Sequence, residues 1–439
     1  MEMNSRLEQA GVKFLRILWC DNANVIRAKA AHISQLDDSF EGIGISAAQQ
    51  ALPVMYDAVA TQSGLGPVGE ALLKPDWSTL QILPYAPGHA QVIGDMLWES
   101  EPWEHCPRAY LREQLAHLAN QGYTLNAAFE NEFFLLKKVE NGYEPADKTI
   151  YAATSSMNQH RDLILELCDA LEKQGLEPEF YYAESGPGQQ ELSTRYREGM
   201  AAADQQIVFR ETARGVAQNH GLVASFLPKI LESAAGSGCH INLSLWQKDR
   251  NVMPDGTHPT GISETGRQFM AGIMHHLPAL CALTIPSHNS YKRIRPHFWA
   301  GAYRSWGYGN REASLRVTKG SNGASRFEVK TADATANPYL ALSAIIAAGL
   351  DGLAKGLELP PEVTVDPGHL ALAERERLGA SLLPQNLGEA LEALANDSII
   401  LNSLGEARAK AYRAVRQMEW EALKDYSLED EVKLLAERY

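Results

Sequence analysis

The chain has 439 residues, 45% of them hydrophobic and 21% charged, with five cysteines and a net charge of −14. This is the composition of a globular protein whose core needs no staples, and the acidic excess excludes nucleic acid and anionic membrane surfaces as general partners. The cysteines show no C-x-x-C spacing, which excludes a disulfide framework and a thiolate zinc site and fits a reducing, cytoplasmic home.

No apolar stretch behind Met1 could serve as a signal peptide. Val12–Trp19 and Val25–Ala30 predict a β-hairpin around the turn Asp21-Asn22-Ala23-Asn24. Strand-like segments continue past Gly42 and Gly44 to about Met96, which predicts a small sheet-rich domain over residues 1–103. A helix then opens on Pro107, a proline position that a first turn tolerates, and residues 104–439 make the second domain. Further helices are predicted over Asn158–Gln174, Arg210–His220, Ser263–Leu283 with a kink or split at Pro278, Asn337–Lys355 and Glu406–Lys424. The longest apolar run, Tyr339 to Leu350, is too short to span a bilayer. Strands between these helices imply an α+β fold with one working sheet face.

The residues suited to chemistry fall in five segments of the second domain. Glu130 and Glu132 stand two apart, so they point to one side of a strand, and Phe133-Phe134-Leu135 marks that strand as buried. Paired carboxylates repel, and a divalent cation is the usual remedy. Glu184 and Glu191 flank Gly186-Pro187-Gly188, a turn whose backbone can approach a ligand closely. After Gly236-Ser237-Gly238, the polar His240, Asn242 and Ser244 alternate with Ile241, Leu243 and Leu245 and share a strand face. Arg293, Arg295, Arg311 and Arg316 cluster in an otherwise acidic chain, and guanidinium forks grip carboxylates and phosphates. In Arg326-Phe327-Glu328-Val329-Lys330 the charges again face one way. Each segment alone also fits a solvated face or a satisfied core residue. Together Glu130, Glu132, Glu184, Glu191, His240 and Glu328 read as one cage of hard oxygen ligands with a single imidazole, a donor set for Mg²⁺ or Mn²⁺.

In order and spacing, E-x-E-F-F, E-x-G-P-G-Q-x-E, G-S-G-x-H, N-S-Y-K-R, N-R-x-A-x-x-R and R-x-E-x-K before A-N-P-Y resemble the glutamine synthetase superfamily over nearly the whole chain. The resemblance implies a small β-grasp-like N-terminal domain and a catalytic domain whose antiparallel sheet is flanked by helices. It implies an ATP-dependent ligase that joins an amine to the γ-carboxylate of L-glutamate through γ-glutamyl phosphate. It implies two or more Mg²⁺ or Mn²⁺ ions per site, with Glu132, Glu184 and Glu191 beside glutamate and Glu130, His240 and Glu328 beside the ATP phosphates. Arg293, Gly236 and Lys330 match glutamate-binding positions. Arg311 and Arg316 match the pair at the transferring phosphoryl group, and Ser244 and Arg326 match positions near the nucleotide. It also implies a ring-shaped homo-oligomer, such as a dodecamer, in which an N-terminal domain completes the neighbour's site. Glu41, in Phe40-Glu41-Gly42, stands for the aspartate of the family's F-D-G-S-S.

Two positions depart from glutamine synthetases proper. Where those read P-G-x-E-A-P, this chain reads Pro296-His297-Phe298-Trp299-Ala300-Gly301, so Trp299 replaces the glutamate that closes the ammonium pocket. Lys330 replaces an arginine and loses its bidentate fork. Tryptophan offers an apolar wall and at most a cation–π contact. An organic amine is therefore the expected acceptor, and an aromatic amine, neutral at physiological pH, would not need the missing base. The chain thus resembles γ-glutamyl-amine ligases, γ-glutamylanilide ligases included, more than glutamine synthetase proper. The alternatives are an ammonia-using glutamine synthetase and a catalytically silent scaffold of the same fold.

Overall fold

The hairpin forms where alternation and turn chemistry place it. Strand β1 (Phe14–Cys20) pairs antiparallel with β2 (Ile26–His32). Between them Asn24 adopts a left-handed φ of 61°, and the Val25 N–H donates to the Asp21 carboxylate at 2.8 Å. The computed structural model describes residues 2–439, with side chains from residue 6. Four more strands, β3 (Ile43–Ser46), β4 (Glu70–Ile82), β5 (His89–Trp98) and β6 (Glu101–Pro102), complete a sheet of order β2-β1-β5-β4-β3, with β6 beside β5. The central β1–β5 pair is parallel. Leu15, Ile17, Ile45, Leu73 and Val92 fill one face. This is the expected small β-rich unit.

Helix α1 (Glu2–Gln9) precedes that sheet and α2 (Pro107–Asn120) follows it. The second sheet is built on β7 (Thr124–Val139). Strands β8 (Gly142–Pro145), β9 (Pro178–Ala183), β10 (Gln189–Thr194), β11 (Arg197–Glu198) and β12 (Val223–Ser225) follow in sequence. Then come β13 (Cys239–Gln247), β14 (Arg250–Asn251), β15 (Tyr303–Tyr308), β16 (Ala313–Gly320) and β17 (Gly323–Val329). Their order is β15-β16-β17-β13-β7-β10-β9. Every described pair in it is antiparallel except β15–β16, which is parallel.

The helices are α3 (Thr154–Gln159), α4 (Arg161–Lys173), α5 (Gly199–Asn219), α6 (Glu264–Thr284), α7 (Ser290–Arg293) and α8 (Pro338–Lys355). The tail adds Leu387–Ala395, Ser398–Leu404, Glu406–Leu423 and Leu428–Leu435. Three expectations need correction. The helix predicted over Asn158–Gln174 breaks at His160, whose ring Nε2 lies 2.8 Å from the buried Asp147 carboxylate. The helix predicted from Arg210 begins at Gly199, because Ala202, Ala203, Gln206 and Ile207 are buried and tertiary packing overrides the weak start signal. Pro278 does not split α6, which runs through it. No helix among the described residues is long and apolar enough to cross a membrane.

One face of β7 belongs to the core. Phe129, Phe133 and Leu135 are buried there, and Phe133 meets Phe209 of α5 at 6.3 Å between centroids. The other face carries Glu130 and Glu132, then turns apolar at Phe134 and Leu136, which pack with Leu227, Val415 and Tyr439. The carboxylates thus lie on that face just before the stretch that the tail covers with apolar side chains.

Candidate active site

Strand register lines up the charged residues. Arg316 of β16 stands opposite Glu328 of β17, which stands opposite Asn242 of β13. His240 of β13 faces Glu130 of β7, and Glu132 faces Glu191 of β10, which in turn faces Tyr182 of β9. One row of polar side chains therefore crosses six strands on a single sheet face.

Within the row, single ligand atoms of Glu130, His240 and Glu328 all lie within 4.8 Å of one another. His240 Nδ1 is 3.1 Å from Glu328, 3.3 Å from Glu130 and 3.7 Å from Glu132. Arg293 Nη2 lies 3.0 Å from the other ring nitrogen, Nε2. A guanidinium only donates, so Nε2 accepts and the proton of the neutral ring sits on Nδ1. Burial, reinforced by Lys330, holds the His240 imidazole well below its usual pKa, so it stays neutral.

Glu328 is 0% exposed. Arg316 Nε forms an ion pair with its Oε2 at 2.6 Å, while Lys330 Nζ lies 3.6 Å and His240 Nδ1 3.1 Å from its Oε1. A carboxylate this deeply buried is held by the charges that face it. Burial pushes the Glu132 carboxyl up to about 7, with Glu184 adding to the effect. Burial, then Glu132 and Glu130, pushes Glu191 up to about 9. Like charges forced together in this way are relieved by a divalent ion. The donor set of carboxylate oxygens and one imidazole fits Mg²⁺ or Mn²⁺.

The loop before β13 brings this row against Arg293. Gly238 N–H donates to Glu132 at 2.8 Å, and Gln189 Nε2 reaches Glu132, Gly236 O and Ser237 Oγ at 3.1–3.2 Å. At Gly236 a Cβ would lie 2.2 Å from Pro228 O, and at Gly238 one would lie 2.6 Å from both Arg293 Nη2 and His240 Nε2. Only glycine permits these approaches. Arg293 itself is buried and also donates to Ala332 O at 3.2 Å.

Other expected residues are placed less tightly. Ser244 accepts from Trp246 Nε1 at 2.9 Å, and Arg326 Nε donates to Asn242 at 2.9 Å while remaining exposed. Arg311 is exposed just before β16 and has no hydrogen bond or ion pair among the described residues. Glu41 is not brought to the row. It is exposed on the loop before β3, at the edge of the first sheet, and nothing among the described residues ties it to the charged cluster. Trp299 and Phe298 are 60% and 50% exposed. The Trp299 backbone is left-handed, with φ 56°, a strained state for a bulky residue.

Sequence reasoning missed the residue that holds this loop. Glu312 is buried, and its Oε1 accepts the Trp299 N–H at 2.8 Å. It lies inside the Asn310–Arg316 motif, where it reads as a spacer between arginines. Its only signal was an acid among bases. Asn242 is one of three aligned polar groups in the sequence, but its bond to Glu130 at 2.9 Å is not legible in the chain.

A family profile described as glutamine synthetase, catalytic domain, matches residues 104–435, and one described as glutamine synthetase N-terminal domain matches residues 2–102. The chain belongs to the glutamine synthetase superfamily. The superfamily's members are ATP-dependent ligases that use divalent metals, generally Mg²⁺ or Mn²⁺. The chain is 33% identical to type-1 glutamine synthetase 1 of Dictyostelium discoideum, over 99% of this chain and 91% of that protein. It is 36% identical to a gamma-glutamylpolyamine synthetase of Streptomyces coelicolor, over 94% of this chain and 91% of that protein. A solved structure of GmaS in complex with ADP superimposes with a TM-score of 0.85 at 29% identity, covering 98% of this chain and 97% of the other. The protein is thus a glutamine synthetase-family ATP-dependent ligase with an α+β fold.

Proposed function

We propose that this glutamine synthetase-family ligase joins the γ-carboxylate of L-glutamate to an organic amine. The observation that carries this reading is the exposed Trp299–Phe298 wall at the position where glutamine synthetases proper place an acid. A polar pocket for ammonium needs an anionic wall; an indole and a phenyl ring favour an amine with apolar substituents. Kinship with a gamma-glutamylpolyamine synthetase supports the same reading.

The chemistry follows from a poor leaving group. A carboxylate cannot expel oxide, so a γ-carboxylate oxygen first attacks the γ-phosphorus of ATP and ADP departs. The amine nitrogen then attacks the acyl carbon of γ-glutamyl phosphate, inorganic phosphate leaves with the C–O bond electrons, and the nitrogen gives up a proton. The residues position two anions and offset their repulsion. Glu130, His240 and Glu328 would hold one divalent ion at the phosphates; Glu132, Glu184 and Glu191 would hold another beside glutamate. Ions bound there would neutralise developing charge on the phosphoryl oxygens. Arg293, Lys330 and the Gly236 turn would hold the glutamate carboxylates and amino group. Arg311, free to swing, and Arg316 would meet the transferring phosphoryl group, with Arg326 and Ser244 near the nucleotide. Glu41 would serve a site across a subunit boundary, as in a ring-shaped homo-oligomer. We assign residues 1–103 to the N-terminal domain, residues 104–439 to the catalytic domain, and the protein to the cytoplasm.

The second reading, ammonia as acceptor, is favoured by the several relatives named glutamine synthetase, at 31–36% identity. Phosphate release measured over a panel of amines, with glutamate, ATP and Mg²⁺ fixed, separates the two. Organic amines are expected to outpace ammonium; equal or faster turnover with ammonium overturns the proposal.

A further inference from the structure

A second group of metal-competent side chains converges outside the charged row. His297, from the loop that carries Trp299, meets Asp366, which caps the short 3₁₀ turn Pro367–His369, and His369, the last residue of that turn. His297 Nδ1 is 2.7 Å from Asp366 Oδ2, and His369 Nδ1 is 3.8 Å from the same oxygen. The two imidazole rings stack with centroids 4.8 Å apart and planes at 28°. The other oxygen of Asp366 is occupied, accepting the Gly368 N–H at 2.7 Å. Oδ2 is left to the imidazoles. His297 rests over Gly368, where a Cβ would come within 2.5 Å of its Cε1.

We propose that His297, Asp366 and His369 bind a divalent transition ion of the Zn²⁺ class, clamping the loop that carries Trp299 to the Pro367–His369 turn. The assignment goes beyond the ligase reading and does not depend on it. Two imidazoles and one carboxylate are a donor set for Zn²⁺, Cu²⁺ or Ni²⁺, and Mg²⁺ prefers an all-oxygen shell. In a tetrahedral zinc site with bonds near 2.0–2.1 Å, ligand atoms stand roughly 3.3 Å apart. The observed separations of 2.7 and 3.8 Å bracket that spacing, so a shift of about half an ångström brings each imidazole to zinc spacing from Asp366, and all three ligand atoms lie within 4.8 Å of one another. A carboxylate–histidine hydrogen bond needs only one imidazole. The second, His369, has no side-chain hydrogen bond among the described residues and still turns Nδ1 to the same oxygen. The His297 and His369 side chains are 49% and 75% exposed, so the ion has access and water can take the fourth position. Glu312, accepting the Trp299 N–H from beneath, anchors the other side of the same loop.

The experiment uses full-length enzyme stripped of metal with a chelator and then saturated with Mg²⁺. Calorimetric titration with Zn²⁺ is expected to show one more equivalent per chain in the wild type than in His369→Ala or Asp366→Asn. The loss in affinity at that position should exceed the roughly 10–100-fold that even outer-shell changes cause. Co²⁺ should give the wild type strong visible bands of four-coordinate geometry; these vanish in His369→Ala and persist in His240→Ala. Zn²⁺ should slow amide exchange over residues 297–301 and raise the melting temperature in the wild type but not in His369→Ala. His369 is largely exposed, so His369→Ala should fold, and its metal-free melting temperature checks this. Equal Zn²⁺ stoichiometry and equal Co²⁺ spectra in wild type and His369→Ala would overturn the proposal.

Discussion

At the scale of single residues, two side chains carry the most consequence. Glu328 is fully buried against Arg316, Lys330 and His240, so its worth lies in what its charge attracts. Replacing it with glutamine keeps the shape and removes the charge. We expect Glu328→Gln to lower kcat by about 10²–10³, the scale seen when one electrostatic stabiliser is removed. The same variant should lose most of the rise in melting temperature that Mg²⁺ confers on the wild type. On the proposed reading, Trp299 decides the acceptor. Trp299→Glu should raise kcat/KM for ammonium relative to organic amines, measured as the ratio in one competition assay. An unchanged ratio would mean that the indole does not shape the pocket. These residues were legible because their neighbours announced them: a carboxylate between apolar residues in a strand, and a tryptophan where the family has an acid. Glu312 was not, because an acid beside Arg311 reads as surface charge until the fold buries it.

Among the elements, β7, β10 and β13 decide whether the site exists. Their faces were readable from period-two alternation, and their registers were not. Which carboxylate opposes which depends on pairings between segments far apart in sequence, such as Glu132 with Glu191 and His240 with Glu130. That pairing has a pH signature. Glu132 and Glu191 are raised to about 7 and about 9 in the folded, ion-free protein, against 4.5 for an ordinary glutamate. Between 4.5 and those values the unfolded chain has released protons that the folded chain still holds. The folded state binds more protons there, so stability falls as pH rises through that window and levels off above about 9. Chelator-treated protein should therefore melt at progressively lower temperature from pH 5 to pH 9. Mg²⁺ should flatten the dependence, because the ion takes the place of the protons. The turn before β13 gives a second test. Gly238→Ala would put a methyl 2.6 Å from Arg293 Nη2 and His240 Nε2. A loss of about 1–3 kcal/mol, typical of overpacking, is expected in denaturant titrations, along with weaker glutamate binding. Helix boundaries were the least legible elements. The start of α5 at Gly199 rests on tertiary burial of small residues that carry little local signal.

For the whole molecule, a buried cation ties the first sheet to helix α5. Arg108, 4% exposed, donates to Asp76 at 2.7 Å and Asp95 at 3.1 Å on the first sheet, and to Asp204 of α5 at 2.8 Å. Removing it strands carboxylates at the junction. Arg108→Ala should cost about 3–5 kcal/mol, read as a lower denaturation midpoint, whereas replacing the exposed Arg112 should cost under about 1 kcal/mol. The two-part, α+β organisation was legible in the spacing of strands, helices and breaks. The stitch was not, since Arg108 and its partners are 13, 32 and 96 residues apart.

Strand β7 has a further consequence, for how the protein comes to be. It hydrogen-bonds to β8, β10, β11, β12 and β13, and β17 joins only through β13. A nascent chain that has just made Glu130 must extend another 198 residues before Glu328 exists to stand near it. The interval is dominated by distant pairings, which fold slowly and leave an unpaired, largely apolar ribbon in the meantime. The acidic pair in the middle of that ribbon, with Lys137 and Lys138 at its end, charges it against sticking, so the carboxylates of the later row also help keep the half-made chain apart from its copies.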